Sequence, residues 1–206
     1  MEKHALYSGD HTMRRYTIMI ILLLVLAVFI AVIATPWNLM RYYENFEKGF
    51  GDWVADADVP SDPNNPGSPV AWSVNLDSTL AANSTYSLKF FIDGRQDDGT
   101  VWIERKIPVT ANSTVNVLVT FKLYSETASA NSLAAACAYV GLDDPENESQ
   151  FTIVGNTNEV AGWKLYNYTT TITLGGKVEL WVAVGITVRW ETEMFFNVDD
   201  VTVVTY

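Results

Sequence analysis

The sequence is poor in the side chains that support covalent and metal chemistry. It has one cysteine, Cys137, and two histidines, His4 and His11. One cysteine cannot form an intrachain disulfide. Beyond His11 there is no imidazole for a histidine-based triad or a histidine-rich zinc site. Cys137 lies in a run of alanines, so we interpret it as a buried small hydrophobe rather than as a reactive thiol, which needs an electropositive, partly open site.

Positive charge is also scarce. The chain has 13 Lys and Arg against 24 Asp and Glu, a formal net charge of −11. Because contacts to phosphates need clustered positive charge, we expect no nucleic-acid partner. The excess of acid fits solubility, a salty medium or divalent cation binding.

One long apolar run is present near the start of the chain, Tyr16–Thr35, and it contains no charge, proline or glycine. A helix of about 20 residues is about 30 Å long, which matches the hydrocarbon core of a bilayer. The run therefore predicts a single transmembrane helix that acts as a signal anchor. The alternative is a cleaved secretory signal peptide, with Val32-Ile33-Ala34 as the cleavage site, but the run is longer than the usual apolar core of such peptides.

The charges beside the apolar run predict its orientation. Arg14 and Arg15 directly precede it, and the positive-inside rule places such pairs in the cytoplasm. We therefore expect a cell-membrane protein with a cytoplasmic tail at residues 1–15, a span at 16–35 and a membrane-proximal segment at 36–44. An extracellular domain would follow at residues 45–206.

In the predicted extracellular domain, residues 45–206, many short segments alternate between apolar and polar residues. The clearest case is Thr114–Tyr124, where Val115, Val117, Val119, Phe121 and Leu123 share one face. Leu133–Val140 reads as a strand, although its alanines also permit a short helix. Alternation with turn signals every 8–15 residues or so favours an all-β, antiparallel β-sandwich. Eight or more predicted strands favour the jelly-roll type over an immunoglobulin-type domain.

Short motifs stand at both ends of the predicted sandwich. Phe46-Glu47, with Gly49 and Trp53 downstream, opens it, and Val198-Asp199-Asp200-Val201 closes it. This pairing resembles the calcium-stabilised jelly rolls of carbohydrate-binding modules. The resemblance implies a structural calcium ion held by Glu47 and Asp200, with Asp199 as a further ligand. Oxygen ligands suit Ca²⁺, and the alternative is that these acids are solvated turn residues.

Aromatic residues are abundant in the predicted sandwich. Trp102, Tyr124, Trp181 and Arg189 would form a sugar-binding platform if they shared one sheet face. Alternation places Trp190 with the core residues of its strand instead. The alternative for the platform is that a loop, a second layer or a neighbouring subunit covers these rings, since aromatics and Arg are also enriched at protein interfaces.

Four Asn-x-Ser/Thr patterns predict N-glycosylation at Asn83, Asn112, Asn147 and Asn167. The same residues serve equally as unmodified turn residues in a host without the machinery.

The sequence predicts binding or structure rather than catalysis. Glu191 and Glu193 are two apart, so on a strand both point to one face, as a glycosidase pair would require, yet this is equally a polar strand end. We expect no enzyme. The two functional hypotheses are a membrane-anchored, glycan-binding module and a structural cell-surface or filament protein that packs with itself or with other envelope proteins.

Overall fold

The computed structural model describes residues 19–21, 39–96, 98–110 and 114–206. Residues 19–21 are helical. The rest of the predicted span and the predicted cytoplasmic tail lie outside the described residues, so the anchor stays a prediction. In the part of the chain that the structure describes, no helix is long and apolar enough to cross a membrane.

Short alternating segments become strands, as the sequence predicts. Within the described ranges the strands are β1 (Met40–Glu44), β2 (Val54–Asp58), β3 (Trp72–Asp77), β4 (Ser87–Asp93), β5 (Thr100–Pro108), β6 (Thr114–Ser125), β7 (Ala134–Gly141), β8 (Thr152–Asn156), β9 (Gly162–Thr173), β10 (Glu179–Val188) and β11 (Glu193–Thr205). Among the described residues, two short 3-10 helices, Gly94–Gln96 and Glu148–Gln150, lie in the connections.

The strands form two antiparallel sheets. The six-stranded sheet has the order β3-β4-β11-β6-β9, and β1 also pairs with β11. The five-stranded sheet has the order β2-β5-β10-β7-β8. One face of each sheet supplies the common hydrophobic core, so the predicted all-β, antiparallel sandwich is confirmed.

Period-two alternation identifies the core faces well. On β6, Val117, Val119, Phe121 and Leu123 are fully buried. Cys137 on β7 is buried too, which confirms its interpretation as a small hydrophobe, and burial raises the pKa of its thiol. Each such strand packs one face inward because the side chains of a strand point alternately to its two sides.

The sandwich begins earlier than the predicted boundary at residue 45. Met40–Glu44 pairs with Val201–Thr205 of β11, so most of the predicted membrane-proximal segment is a strand of the sheet. The sequence does not reveal this strand, since its pattern of Arg, two Tyr and Glu lacks an apolar alternation. The Tyr42 ring instead packs beneath the Arg105 guanidinium, 5.3 Å away.

Trp190 does not belong to the core, contrary to the prediction. Strand β10 ends at Val188, and the Arg189 N–H bonds the Leu133 carbonyl. The chain bends at Trp190, which leaves its side chain 51% exposed. Alternation assigns side chains to the two faces of a strand only as far as the strand continues. Extending it two residues past Val188 assigns Trp190 to the core face, which is wrong.

Candidate functional site

The predicted four-residue platform is divided between the two sheets. Trp102 on β5 and Trp181 on β10 lie on the outer face of the five-stranded sheet, whereas Tyr124 on β6 belongs to the six-stranded sheet. Arg189 follows the end of β10 and is exposed. These residues therefore do not share one sheet face, and the two outer faces have to be considered separately.

The outer face of the five-stranded sheet is closed by the connection between β7 and β8, residues 142–151. Phe151 packs against Trp102 with ring centroids 4.8 Å apart, and Trp102 is completely buried. The Tyr139 hydroxyl donates to the Asp143 carbonyl at 2.8 Å. The Glu148 N–H donates to Asp58 Oδ2 at 2.9 Å. Trp102 is thus a packing residue in this structure and is not available to a ligand.

Close approach of two strands makes room for the buried indole. Gly185 on β10 lies directly opposite Trp102 on β5. A Cβ at residue 185 would come within 2.3 Å of the Val101 carbonyl oxygen and 2.7 Å of Trp102 Cβ. A glycine is needed here because no side-chain atom fits between the strands.

Glu104 lies beside the buried indole. The Trp102 Nε1–H donates to Glu104 Oε2 at 2.6 Å. The pKa of Glu104 is raised to about 7, mainly by burial. The hydrogen bond from Trp102 opposes this shift, and the negative charges of Asp144 and Asp56 reinforce it. A protonated carboxyl near neutral pH is what a general acid requires, but this side chain is only 6% exposed beneath the connection.

Trp181 lies at the margin of the same face. It lines a cavity of about 210 Å³ together with Lys106, Leu142, Asp143, Asp144, Lys177 and Glu179. The Lys106 ammonium lies 4.9 Å from the ring centroid. One face of the Trp181 ring is therefore already occupied by a cation, which leaves less aromatic surface for a ligand.

The outer face of the six-stranded sheet carries side chains that range from nearly buried to exposed. Strand pairing places five of them in one row across the sheet, one from each of β3, β4, β11, β6 and β9: Asn75, Lys89, Asn197, Tyr124 and Trp163. Between β4 and β9 the row crosses three strand spacings, about 14 Å. We call this row and the neighbouring pair Phe91 and Phe195 the aromatic face.

The rings of the aromatic face form two contacting pairs. Phe91 and Phe195 stack with centroids 4.8 Å apart. Tyr124 meets the edge of Trp163 at 5.4 Å. Phe195 is 53% exposed, and the Lys89 ammonium lies 4.9 Å above its ring. Aromatic pairs are held in these orientations by their quadrupoles, so the face offers pre-positioned rings.

A fixed amide lies between the two ring pairs. Asn197 is 5% exposed. Its Nδ2 donates at 2.9 Å both to Asp77 Oδ2 and to Ser87 Oγ. Burial alone would raise the pKa of Asp77, but hydrogen bonds from Thr79 and Asn197 hold it below the ordinary value. The aromatic face thus combines rings with an oriented amide and an ionised carboxylate.

The three predicted calcium ligands lie where β1 and β4 meet along β11. Asp199 is fully buried and Asp200 is 9% exposed. Glu47 Oε1 accepts the N–H groups of Thr85 and Tyr86 at 2.8 and 2.7 Å. Within the described ranges, no group of three or more His, Cys, Asp or Glu side chains could hold a metal ion. The calcium ion stays a prediction, and the donors around these acids do not support it.

Protein donors also set the ionisation of the two aspartates. Burial raises the pKa of Asp199, opposed by the N–H groups of Ala82 and Asp200. Burial would raise the pKa of Asp200 as well, but hydrogen bonds from Lys122, Tyr43 and Asn83 hold it below the ordinary value. The hydrogen bond to Asp200 in turn raises the pKa of Tyr43 to about 12.

The four predicted glycosylation residues differ in their surroundings. Asn83 is exposed, but its Nδ2 donates to Asp200 Oδ2 at 2.8 Å. Asn147 caps the 3-10 helix Glu148–Gln150, and Asn167 is exposed on β9, opposite Thr120. Asn112 lies outside the described residues. Glycosylation stays a prediction at all four residues.

Sequence reasoning finds Tyr124 but misses its neighbours. Phe91 and Phe195 each alternate with core residues on their own strands, Phe91 between Phe90 and Ile92 and Phe195 between Met194 and Phe196. Trp163 has Gly162 and Lys164 beside it, so its strand gives a weaker pattern. That alternation is a signal for an outward ring. What it does not contain is the strand order β4-β11-β6-β9, which brings rings from four distant segments onto one face.

No family model matches the chain, and no curated protein sequence matches it. Among solved structures, the carbohydrate-binding module TmCBM61 in complex with β-1,4-galactotriose is similar at 15% identity and a TM-score of 0.49, covering 77% of this chain and 92% of that one. A tandem CBM22 domain of Xyn10C from Paenibacillus barcinonensis is similar at 18% identity and a TM-score of 0.49, covering 80% of this chain and 50% of that one.

A third similar structure is the K3 adhesin domain of Lys-gingipain from Porphyromonas gingivalis. Its identity is 16% and its TM-score 0.45, covering 82% of this chain and 99% of that one. Carbohydrate-binding modules are thus among the structural neighbours, as the resemblance of the terminal motifs predicts.

Proposed function

We propose that this chain is a membrane-anchored, glycan-binding module of jelly-roll type, and that glycans bind across its aromatic face. The observation that carries the proposal is the row of Tyr124 and Trp163 beside Asn197, close to the stacked pair Phe91 and Phe195. A ligand site that combines aromatic rings with a few placed polar groups suits molecules with both apolar and hydroxyl-bearing surfaces. A sugar ring presents both kinds of surface.

The proposal rests on shape as well as on residue types. Between β4 and β9 the row extends about 14 Å over an open sheet surface, which suits an extended chain of several sugar units better than a single small molecule. Rings can pack on the apolar C–H surface of a sugar, while Asn75, Lys89 and Asp77 bond its hydroxyl groups. We expect binding without catalysis, and calcium is not part of this proposal.

The cellular setting comes from the sequence. The run at residues 16–35 would hold the module at a cell membrane as a single-pass protein, with the N-terminus in the cytoplasm and the sandwich outside. Partners would be extracellular glycans or glycan-bearing surface proteins. Protease protection of the sandwich in sealed, right-side-out cells would contradict this topology, whereas its release by external protease would support it.

The test is a glycan-binding screen with the full chain in a zwitterionic detergent, because sugar-headed detergents would compete for the site. Trp163→Ala and Tyr124→Ala are expected to weaken binding by about 30-fold, or about 2 kcal/mol, as truncation of central aromatic residues does. Trp190→Ala is the matched control, since it removes an exposed indole that lies outside the strands of both sheets.

Three outcomes would contradict the proposal. The first is the absence of binding to any glycan by the wild-type chain. The second is an equal loss of affinity in Trp163→Ala and Trp190→Ala, which would place the site elsewhere. The third is a loss confined to Trp181→Ala, which would move the site to the cavity beside the five-stranded sheet.

The exposed apolar side chains favour self-association as a second candidate function. Phe195 and Leu165, both on the outer side of the six-stranded sheet, are 53% and 57% exposed. Large exposed apolar patches are typical of protein interfaces. A structural surface protein would bury this face against another copy. In that case, sedimentation velocity of the wild-type chain should show oligomers, and Phe195→Ser and Leu165→Ser should dissociate them. The glycan-binding proposal instead predicts a monomer for the wild type and for both variants.

A further inference from the structure

Two buried carboxylates lie side by side at the junction of the first and last strands. Strand β11 pairs with β4 over residues 193–198 and with β1 over residues 201–205, and with β6 on its other side. The register with β6 shifts between Asp199 and Thr202. Asp200 in this bulge has a φ of 51°, a left-handed conformation that Asp adopts more readily than most residues.

Such a pair needs compensation, because burying an ionised carboxylate without partners is strongly unfavourable. Calcium provides it by binding six to eight oxygen ligands through their lone pairs. The alternative is a set of N–H and O–H donors together with one cationic side chain. The two solutions differ in whether hydrogens or a metal ion face the carboxylate oxygens.

Asp199 is surrounded by donors. Its Oδ2 accepts the Ala82 N–H at 2.8 Å. The Ser84 hydroxyl lies 3.4 Å from the same oxygen, but its single hydrogen has a shorter contact, 3.2 Å, with the Tyr86 carbonyl. Asp199 Oδ1 accepts the N–H of Asp200 at 2.7 Å. The two N–H groups point hydrogens at the carboxylate, so each of its oxygens accepts a hydrogen bond from the protein.

Asp200 is surrounded in the same way, and one of its donors is charged. Its Oδ1 accepts the Tyr43 hydroxyl. Its Oδ2 accepts Asn83 Nδ2 and Lys122 Nζ, each at 2.8 Å. The Lys122 side chain is 28% exposed and that of Asp200 is 10% exposed, so this ion pair is partly shielded from water.

We propose that the Lys122 ammonium is the cation that closes this junction, in place of the calcium ion that the resemblance implies, so that the sandwich is stable without a metal. Strand β6 delivers Lys122 to this point because Lys122 pairs with Asp199 of β11. The connection between β3 and β4 supplies the Ala82 N–H and the Asn83 amide, and β1 supplies the Tyr43 hydroxyl. A fixed cation and neutral donors thus satisfy the two aspartates.

The first test is thermal unfolding of the full chain in a zwitterionic detergent, with excess calcium chloride or with excess chelator. We expect the same midpoint in both. A midpoint that rises with calcium and falls with chelator would overturn the proposal and establish the metal.

The second test removes the ammonium. Lys122→Met is expected to lower the midpoint by roughly 5–10 °C, because it leaves Asp200 buried without a counter-charge. Lys177→Met is the matched control, since Lys177 forms an exposed ion pair with Asp143 at 3.7 Å, and such pairs contribute little. Equal midpoints for the two variants would also overturn the proposal.

Two further variants keep the test decisive if Lys122→Met fails to fold. Lys122→Arg retains the positive charge, so its unfolding midpoint is expected to lie closer to that of the wild type than to that of Lys122→Met. Adding Asp200→Asn to Lys122→Met removes the uncompensated carboxylate, so the double variant should be more stable than the sum of the single losses predicts. Additive losses would show that Lys122 acts through packing alone and would overturn the proposal.

Discussion

The outer faces of the two sheets have similar aromatic content but opposite accessibility. On the five-stranded sheet, residues 142–151 cross the face, and Trp102 is completely buried beneath Phe151. On the six-stranded sheet, Phe195 remains 53% exposed beside Phe91. An outward ring on a strand can therefore serve stability or recognition, and a connection far away in sequence decides which.

The difference also appears in the polar groups beside the rings. Trp102 is accompanied by Glu104, whose pKa burial raises to about 7. The open face instead has Asp77, whose pKa stays below the ordinary value despite burial because Thr79 and Asn197 donate to it. Exclusion of water favours the neutral acid, whereas donors favour the charged one.

The largest expected effect tests the closed face. Trp102→Ala should lower the free energy of unfolding by about 3–5 kcal/mol, because it leaves a large cavity beneath Phe151. Trp190→Ala, which removes an exposed indole, should change it by less than about 0.5 kcal/mol. Denaturant titrations followed by circular dichroism measure both. Similar values for the two variants would mean that the connection does not cover Trp102 in solution.

A smaller effect should appear in the pH dependence. The folded pKa of Glu104, about 7, lies above the ordinary value of 4.5, so the folded chain holds this proton more tightly than the unfolded chain. The stability that the protonated Glu104 carboxyl contributes is fully present below the ordinary pKa. It is lost as the pH rises from there through the folded pKa of about 7. Glu104→Gln should therefore be more stable than the wild type at pH 8, by about 1–2 kcal/mol.

The gain from Glu104→Gln should vanish in acid, where the wild-type carboxyl is protonated. Glu191→Gln, at an exposed acid, is the control and should show no such pH-dependent gain. A gain for Glu104→Gln that is the same at all pH values would refute burial of the charge as the cause.

The smallest effect is expected on the open face. Phe195→Ala loses the stacking contact with Phe91, and such pairs contribute about 0.5–1.5 kcal/mol. Because Phe195 is half exposed, we expect a loss of stability below about 1 kcal/mol in the same denaturant titrations. A loss as large as that of Trp102→Ala would show that something covers this face as well.

Much of the fold follows from alternation within single strands. The burial of Val117, Val119, Phe121 and Leu123 on β6 follows from the sequence because the local period of two is regular. β1 does not follow from it, since this strand is stabilised by pairing with β11, at the other end of the chain. Trp190 shows the limit of the rule, which holds only as far as the strand continues.

The candidate site was less predictable than the fold. Tyr124 lies on the outer face of the six-stranded sheet, whereas Trp102 and Trp181 lie on the outer face of the other sheet. The sequence pattern identifies which rings leave the core. It does not identify the sheet to which each strand belongs, nor the connection that covers a face, because both depend on contacts between distant segments.

The sequence by itself determined the fold class, the core faces, the burial of Cys137 and the lack of imidazole chemistry after His11. All of these depend on residue type and on local periodicity. Only the tertiary structure decided that one aromatic sheet face is closed and the other open, and that Lys122 lies 2.8 Å from Asp200. Strand order and register set these distances, and both arise from packing between segments far apart in the chain.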